Sequence, residues 1–388
     1  MRKLSLDIYL RKKLENRQTQ NRFRYRLSSS SACDAEMVIE GRNVVNFSSN
    51  DYLGLANHSE VVQALSEGGK KLGVGSGASH LISGHHEVHK ALEQQIAIFT
   101  GRPRALFFAN GYMANMGTLG AILSDEDLIF SDELNHASLI DGCRLSRAKC
   151  VRFEHANYHD LQEKLSSSNY RHSVVVTDGV FSMDGDTAPL KEISEICSKF
   201  GAWLMVDDAH GFGVLGRNGG GVVEMMGLDC EQVPILVGTF GKSFGTYGAF
   251  VAGSDALIES LIQFSRNYIY TTALPPALAH ATTVSLKIVE AEPWRRERLA
   301  DNIKYFRSGA LSEGLRLPQS DTPIQPILIG NDERVADLGS LLLNRGFLVG
   351  AIRPPTVPVG SGRLRVSISA EHSYEQLDAL ISVLCELT

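Results

Sequence analysis

The chain has 388 residues, 43% of them hydrophobic and 21% charged, with a formal charge of -6. That composition supplies material for two or three folded domains and excludes a disordered tail, a collagen-like fibre and a disulfide-stapled mini-protein. The mild acidity gives no reason to expect nucleic acid, and no apolar run reaches the ~20 residues of a membrane helix, so neither is an expected partner.

The first 26 residues stand apart. Nine are basic (Arg2, Lys3, Arg11, Lys12, Lys13, Arg17, Arg22, Arg24 and Arg26) against Asp7 and Glu15, a net +7 in a chain of -6. Leu6, Leu10 and Leu14 recur at helical spacing, which predicts an amphipathic helix with a basic face. Two readings stand: a mitochondrial transit peptide, or an arm that packs on its own domain or a partner subunit. Ser28 to Ser31 mark a linker, so 1–45 is read as arm and linker.

From about Val44, short β-branched or aromatic runs alternate with helical periods. Ala105–Phe108, Leu128–Ser131, Lys149–Phe153, Ser173–Thr177, Trp203–Val206, Ile235–Val237 and Ala249–Ala252 read as strands. Several are apolar throughout, as strands buried on both faces of a parallel sheet are. Met113–Leu123, Leu139–Arg147, Leu190–Phe200 and Asp255–Gln263 read as the helices between them. The pattern predicts an α/β domain over 46–280, with a mostly parallel sheet covered by helices on both faces. Pro275-Pro276 then breaks the chain. Two long helices (Ala277–Val289, Arg295–Leu311) follow. Strands at Gln325–Ile329, Phe347–Ala351 and Leu364–Ile368, with helices at Arg334–Arg345 and from Tyr374, predict a smaller α+β domain over 281–388. Six scattered cysteines without a C-x-x-C pair, and no signal-peptide core, predict reduced thiols and a cytoplasmic location.

Open α/β sheets bind ligands beyond the carboxyl ends of their strands. After Ala105–Phe108 comes Asn110-Gly111-Tyr112, either an ordinary Asn cap or a helix start that bares N–H groups to a phosphate. After Ser173–Thr177, the loop Asp178 to Asp186 is a turn or a metal loop; its spacing fits no EF-hand, and it is read as delivering Ser182 to the crevice. Trp203–Val206 ends in Asp207-Asp208-Ala209-His210-Gly211, and a carboxylate after a buried strand is expensive unless a donor or cation meets it. Thr239-Phe240-Gly241-Lys242-Ser243 gives Lys242 small neighbours and unusual access, as a Schiff-base or proton-transfer lysine needs.

Three patterns are set aside. Gly73-Val74-Gly75-Ser76-Gly77 follows a helical run instead of a strand, so it is no dinucleotide loop. Gly241-Lys242-Ser243 lacks the earlier glycine of a phosphate loop, since Leu236 stands there. His85-His86-Glu87-Val88-His89 is one residue short of H-E-x-x-H with no third ligand evident, and reads as a solvated helix start; no metal is expected.

An anion site, an acid and an accessible lysine together meet the demands of pyridoxal phosphate. The chain resembles the α-oxoamine synthases, fold-type I pyridoxal-phosphate enzymes, from about Asn46 onward. The resemblance rests on Asn50-Asp51-Tyr52-Leu53-Gly54-Leu55, the Gly73–Gly77 loop, Asn135-His136-Ala137-Ser138, Asp178 to Asp186, Val206 to Gly211, Thr239 to Lys242, and Ile352-Arg353-Pro354-Pro355-Thr356-Val357-Pro358. It implies that Lys242 forms the Schiff base and removes the Cα proton. Asp207 would face the pyridine nitrogen, His210 the ring hydroxyl, and His136 would stack on the ring. Ser182 and Thr239 would bind the cofactor, and the Gly111 and Tyr112 backbone its phosphate. Arg353, with Asn50 beside it, would hold the amino-acid carboxylate; Thr356 would contact substrate and Arg22 the acyl group, with Arg24 close enough to confuse the match. The loop around Gly75 would be a subunit contact in a homodimer. The Arg353–Pro358 motif points to the branch that condenses L-alanine with a pimeloyl thioester. Sister enzymes use glycine with acetyl or succinyl thioesters, or long acyl chains. Outside the family stand a phosphate-loop nucleotide-binding protein and a non-catalytic α/β binding protein.

Overall fold

The computed structural model describes residues 5–388 and divides into two units, Asn50–Leu299 and Met1–Ser49 with Ala300–Thr388. Arg2 and Lys3 of the basic arm lie outside the described residues. The strands are β1 (Glu36–Ile39), β2 (Arg42–Phe47), β3 (Arg104–Phe108), β4 (Leu128–Asp132), β5 (Lys149–Phe153) and β6 (Ser173–Asp178). They continue with β7 (Trp203–Asp207), β8 (Ile235–Thr239), β9 (Ala249–Gly253), β10 (Ile324–Gly330), β11 (Phe347–Ile352) and β12 (Gly362–Ser367).

In the unit 50–299 the strand order is β3-β9-β8-β7-β6-β4-β5. Strands β8, β7, β6, β4 and β5 run parallel, and β9 is antiparallel to both its neighbours. Every residue of β6, β8 and β9 is buried, which is why their sequences are apolar without alternation. Burying each valine of Val174-Val175-Val176 stabilises the sheet by roughly 1.5–3 kcal/mol. The helices Gly111–Ile122, Ala137–Leu145, Leu190–Phe200 and Asp255–Phe264 form where the sequence places them, within about two residues. Gly142 lets two of them approach closely: a Cβ there would lie 2.9 Å from Leu119 Cδ1 and 3.3 Å from the Asn115 carbonyl.

In the other unit the order is β1-β2-β11-β12-β10. Strand β2 pairs in parallel with β11, Val45 opposite Phe347, and the remaining pairs are antiparallel. This pairing is why the first 49 residues group with the C-terminal segment, whereas the sequence alone placed boundaries at 46 and 281. The hairpin β1–β2 escaped the sequence reading. Its signal is Glu40-Gly41, both at positive φ, a two-residue turn of the kind that joins twisted strands.

The predicted arm helix forms over Leu6–Thr19 with a Ser5 cap, but none of its residues is buried. Leu6 is 73% exposed and Leu14 52%. The helical part of the arm therefore does not pack on its own domain, whereas Arg22 and Arg24 beyond it bond to Asp332 and Thr356.

Candidate active site

The carboxyl ends of β3, β4, β6, β7 and β8 converge on one cavity of about 170 Å³. Gly111 and Tyr112 line it from the start of the helix after β3, and His136 from the loop after β4. Ser182 comes from the loop after β6, Asp207 and His210 from the end of β7 and beyond, and Thr239 and Lys242 from β8 and its turn. The predicted cofactor wall is thus assembled from five separate strand ends. Asp178 and Ser138, which the sequence did not single out as site residues, also line it.

Asp207 is met by donors on both oxygens. The Ala209 N–H donates to Oδ1 at 3.0 Å and the Asn115 amide to Oδ2 at 2.6 Å. The same Asn115 nitrogen lies 2.8 Å from Ser138 Oγ, which is 2.7 Å from His136 Nδ1. The His136 backbone N–H donates to Asp178 Oδ2 at 2.8 Å. Burial holds the His136 imidazole below its ordinary range, with Asp207 opposing and the Lys242 charge adding to it. Burial, then the neighbouring Asp207, raises Asp178 well above the usual carboxylate range.

Asp208 does something else. It is fully buried, and burial raises its carboxyl well above the usual range. It accepts the Val222 N–H at 2.6 Å, and a Cβ on Gly211 or Gly221 would lie 2.1 or 1.8 Å from its oxygens. Of the adjacent acids only Asp207 lines the cavity; Asp208 anchors the glycine-rich turn.

His210 Nδ1 sits 2.7 Å from the Tyr52 phenol, which donates to Asn50 Oδ1 at 3.1 Å. A carbonyl oxygen only accepts, so the phenol proton goes to Asn50 and His210 donates from Nδ1. Its Nε2 is then an acceptor. The Thr239 hydroxyl donates to the Gly248 carbonyl at 2.9 Å and accepts from the Gly241 N–H at 3.3 Å. Asn110 caps its helix by accepting the Met113 N–H at 2.9 Å, which leaves the amides of Gly111 and Tyr112 outside that cap. The Tyr112 phenol bonds Asp141, and its ring stands edge-on to His136 at 6.4 Å.

His155 braces the loop that carries Ser182. Its Nδ1 lies 3.1 Å from Asp132 on β4 and its Nε2 2.9 Å from Asp186. Burial alone would lower its pKa, but the bonds to the two carboxylates overcome this and hold it at about 10. Asp186 therefore serves a bridge to His155.

Among the described residues the one cluster with metal-like spacing is His80, His85 and His89, their ligand atoms within 4.8 Å of one another. His80 is the third histidine that the sequence reading did not find. His89 cannot ligate as placed: Nδ1 accepts the His86 N–H at 3.0 Å and Nε2 lies 2.9 Å from the Leu274 carbonyl.

Three predicted substrate residues belong to the other unit. Arg353 donates to the Asn21 carbonyl at 2.7 Å. Thr356 Oγ1 accepts from Arg24 at 2.9 Å, whereas Arg22 pairs with Asp332 at 3.3 Å. Asn115, Ser138, Tyr52 and Asp178 were missed as site residues. Tyr52, Ser138 and Asp178 lay inside the motifs at 50–55, 135–138 and 178–186 without being given a role, and Asn115, inside the helix Gly111–Ile122, carried no signal of its own.

The family model of class I and II aminotransferases matches residues 42–384. An 8-amino-7-oxononanoate synthase of Cellvibrio japonicus is 50% identical over 382 residues, covering 98% of this chain and 96% of that one. One of Methylococcus capsulatus is 54% identical, covering 94% of each. Among solved structures, serine palmitoyltransferase of S. paucimobilis with bound PLP and myriocin superposes with a TM-score of 0.93 at 31% identity, covering 99% of this chain and 98% of that one. An 8-amino-7-oxononanoate synthase of Francisella tularensis gives 0.78 at 34% identity, covering 88% and 97%.

Proposed function

The chain belongs to the class I and II aminotransferase family, and we propose that it joins L-alanine to a pimeloyl thioester, the reaction of the 8-amino-7-oxononanoate synthases it matches. It is a pyridoxal-phosphate-dependent acyltransferase of biotin synthesis. A C–C bond forms between alanine Cα and the thioester carbonyl carbon. The C–S bond breaks to release the thiol, and the alanine carboxylate leaves as carbon dioxide, a proton taking its place at Cα.

The cavity's donor set fits pyridoxal phosphate: an amine on Lys242, a carboxylate on Asp207 already braced by two N–H groups, and helix-start amides at Gly111 and Tyr112. When bound, the cofactor supplies a protonated pyridine ring that takes up the electron pair released at the amino acid's Cα. Lys242 anchors the cofactor and then takes the Cα proton. Asp207 holds a proton at the ring nitrogen, an opposite charge there being worth ~1–3 pKa units. His136 would cover one ring face, and His210 would meet the ring hydroxyl through Nε2. Ser182 and Thr239 would bind the cofactor, and the amides of Gly111 and Tyr112 its phosphate. By resemblance, Asn50 and Arg353 would hold the substrate carboxylate. Thr356 and an arm arginine meet the acyl group: Arg22 by resemblance, Arg24 by its bond to Thr356.

The assembly is a homodimer in the cytoplasm. Val74 of the glycine-rich loop is 91% exposed and Ile82 80%, which suits a subunit contact there and on the arm helix. All six cysteines are free thiols, and among the described residues no helix is long and apolar enough to cross a membrane.

The convergence of five strand ends on one cavity carries the cofactor reading. Identity of 50–54% to the 8-amino-7-oxononanoate synthases of Cellvibrio japonicus and Methylococcus capsulatus, over nearly the full length of this chain, supports the substrates. Borohydride treatment of the coloured protein is expected to label Lys242 alone. In assays crossing alanine, glycine and serine with pimeloyl, acetyl, succinyl and palmitoyl thioesters, alanine with pimeloyl is expected to prevail. Label on another lysine, or a preference for serine or glycine, overturns the corresponding half of the reading.

A further inference from the structure

We propose that Asn115 and Ser138 are positioning residues that hold His136 as its neutral Nε2–H tautomer and tie it to the Asp207 carboxylate. The inference concerns the cavity read above as the cofactor site, but the direction of each hydrogen bond is fixed by the protein alone.

The direction starts at Asp207. Its Oδ2 faces the Asn115 side chain at 2.6 Å. A carboxylate accepts, so the Asn115 nitrogen must be the atom turned toward it; the opposite orientation would set two acceptors against each other. That nitrogen carries two N–H groups, and the second reaches Ser138 Oγ at 2.8 Å. Ser138 accepts there, so its own proton is directed to His136 Nδ1 at 2.7 Å. The Ser138 backbone N–H points to the same nitrogen at 3.3 Å. Two donors on Nδ1 leave the ring proton to Nε2, for which the described residues offer no protein hydrogen-bond partner. His136 lines the cavity, so Nε2–H is the donor it can present to a bound molecule.

Two further observations separate this from routine core satisfaction. Asn115 is fully buried in the middle of a helix whose other polar side chains are Tyr112 and Thr118, and its Oδ1 has no partner. An amide kept there with an orphaned oxygen is retained for what its nitrogen does. Gly142 also removes the side chain that would push the two helices apart, so Ser138 on one can meet Asn115 on the other. In such a buried chain each bond strengthens its neighbour, and breaking one leaves an unpaired group.

The test is the ring itself. Nitrogen-15 spectra of histidine-labelled holoenzyme, with His136→Gln assigning the resonance, are expected to give Nδ1 as the unprotonated nitrogen in the wild type. Ser138→Ala is expected to yield a mixture of tautomers and to raise the His136 pKa by about half to one unit, since a donor that favours the neutral ring is gone. The charges facing the ring, Asp207 and Lys242, stay in place. Ser138→Thr, which keeps the hydroxyl, is expected to restore the wild-type pattern. Asn115→Leu is expected to behave like Ser138→Ala. A wild-type ring protonated at Nδ1, or a tautomer indifferent to Ser138→Ala, overturns the proposal, and the wild-type measurement stands even if a variant fails to fold. Borohydride labelling of Lys242 in the same preparation separates the outcomes. Label on Lys242 with an Nδ1–H ring rejects the relay alone, and label elsewhere rejects the cofactor site.

Discussion

The Tyr52 phenol and His210 Nδ1, 158 residues apart in sequence, meet at 2.7 Å beside the cavity. Because Tyr52 donates to Asn50, it can only accept from His210, and this leaves Nε2 as the acceptor for a ligand hydroxyl. Tyr52→Phe removes that acceptor. The dissociation constant of pyridoxal phosphate is expected to rise about five- to tenfold, roughly 1–1.4 kcal/mol. Fluorescence titration of the apo-protein measures it, and an unchanged constant would show that Tyr52 does not orient His210.

Adjacent acids should separate cleanly. Asp207→Asn is expected to leave the urea midpoint near wild type while lowering kcat at least a hundredfold, about 2.7 kcal/mol of barrier. Asp208→Ala strands the buried Val222 N–H and is expected to cost about 1–3 kcal/mol of stability. Urea denaturation beside steady-state kinetics reads both; a destabilised Asp207→Asn with normal kcat reverses the assignment.

His155 bridges two carboxylates with its pKa raised to about 10. The folded state thus binds this proton more tightly than an unfolded imidazole near 6.5. Its contribution is complete below about pH 6.5 and is lost as pH rises through about 10. His155→Gln leaves Asp132 buried without its cation and is expected to cost about 3–5 kcal/mol at pH 7, with the gap to wild type closing by pH 10. Urea curves across that range would refute the bridge if the gap stayed constant.

The arm supplies a choice between two arginines. Arg24 reaches Thr356, whereas Arg22 is engaged by Asp332. Arg24→Ala is expected to raise KM for the pimeloyl thioester about tenfold with a smaller effect on kcat, about 1.4 kcal/mol. Arg22→Ala is expected to lose at most about 1 kcal/mol of stability. The reverse pattern of KM effects would restore the assignment by resemblance.

Much of the site was legible because its residues sit in short motifs at strand ends. Lys242 stood out for its small neighbours, Asp207 for ending a buried strand, and the Gly111 helix start for its N–H groups. Asn115 and Ser138 were not legible as a pair. Each looks like an unremarkable polar residue until helix packing through Gly142 brings them together. The same holds for His80, whose approach to His85 and His89 depends on a single π-helical turn at His80–Gly84.

The sequence by itself determined the alternation of strands and helices, the Asn110 cap, and which residue types stand at the strand ends, because these follow from patterns within about ten residues. Only the tertiary structure decided that β2 pairs with β11 and that Asn115 reaches Asp207, 92 residues away. It also decided that Asp207 faces the cavity while Asp208 turns into the core. Those outcomes depend on how sheets and helices pack, and contacts between distant segments leave no periodic trace in either segment alone.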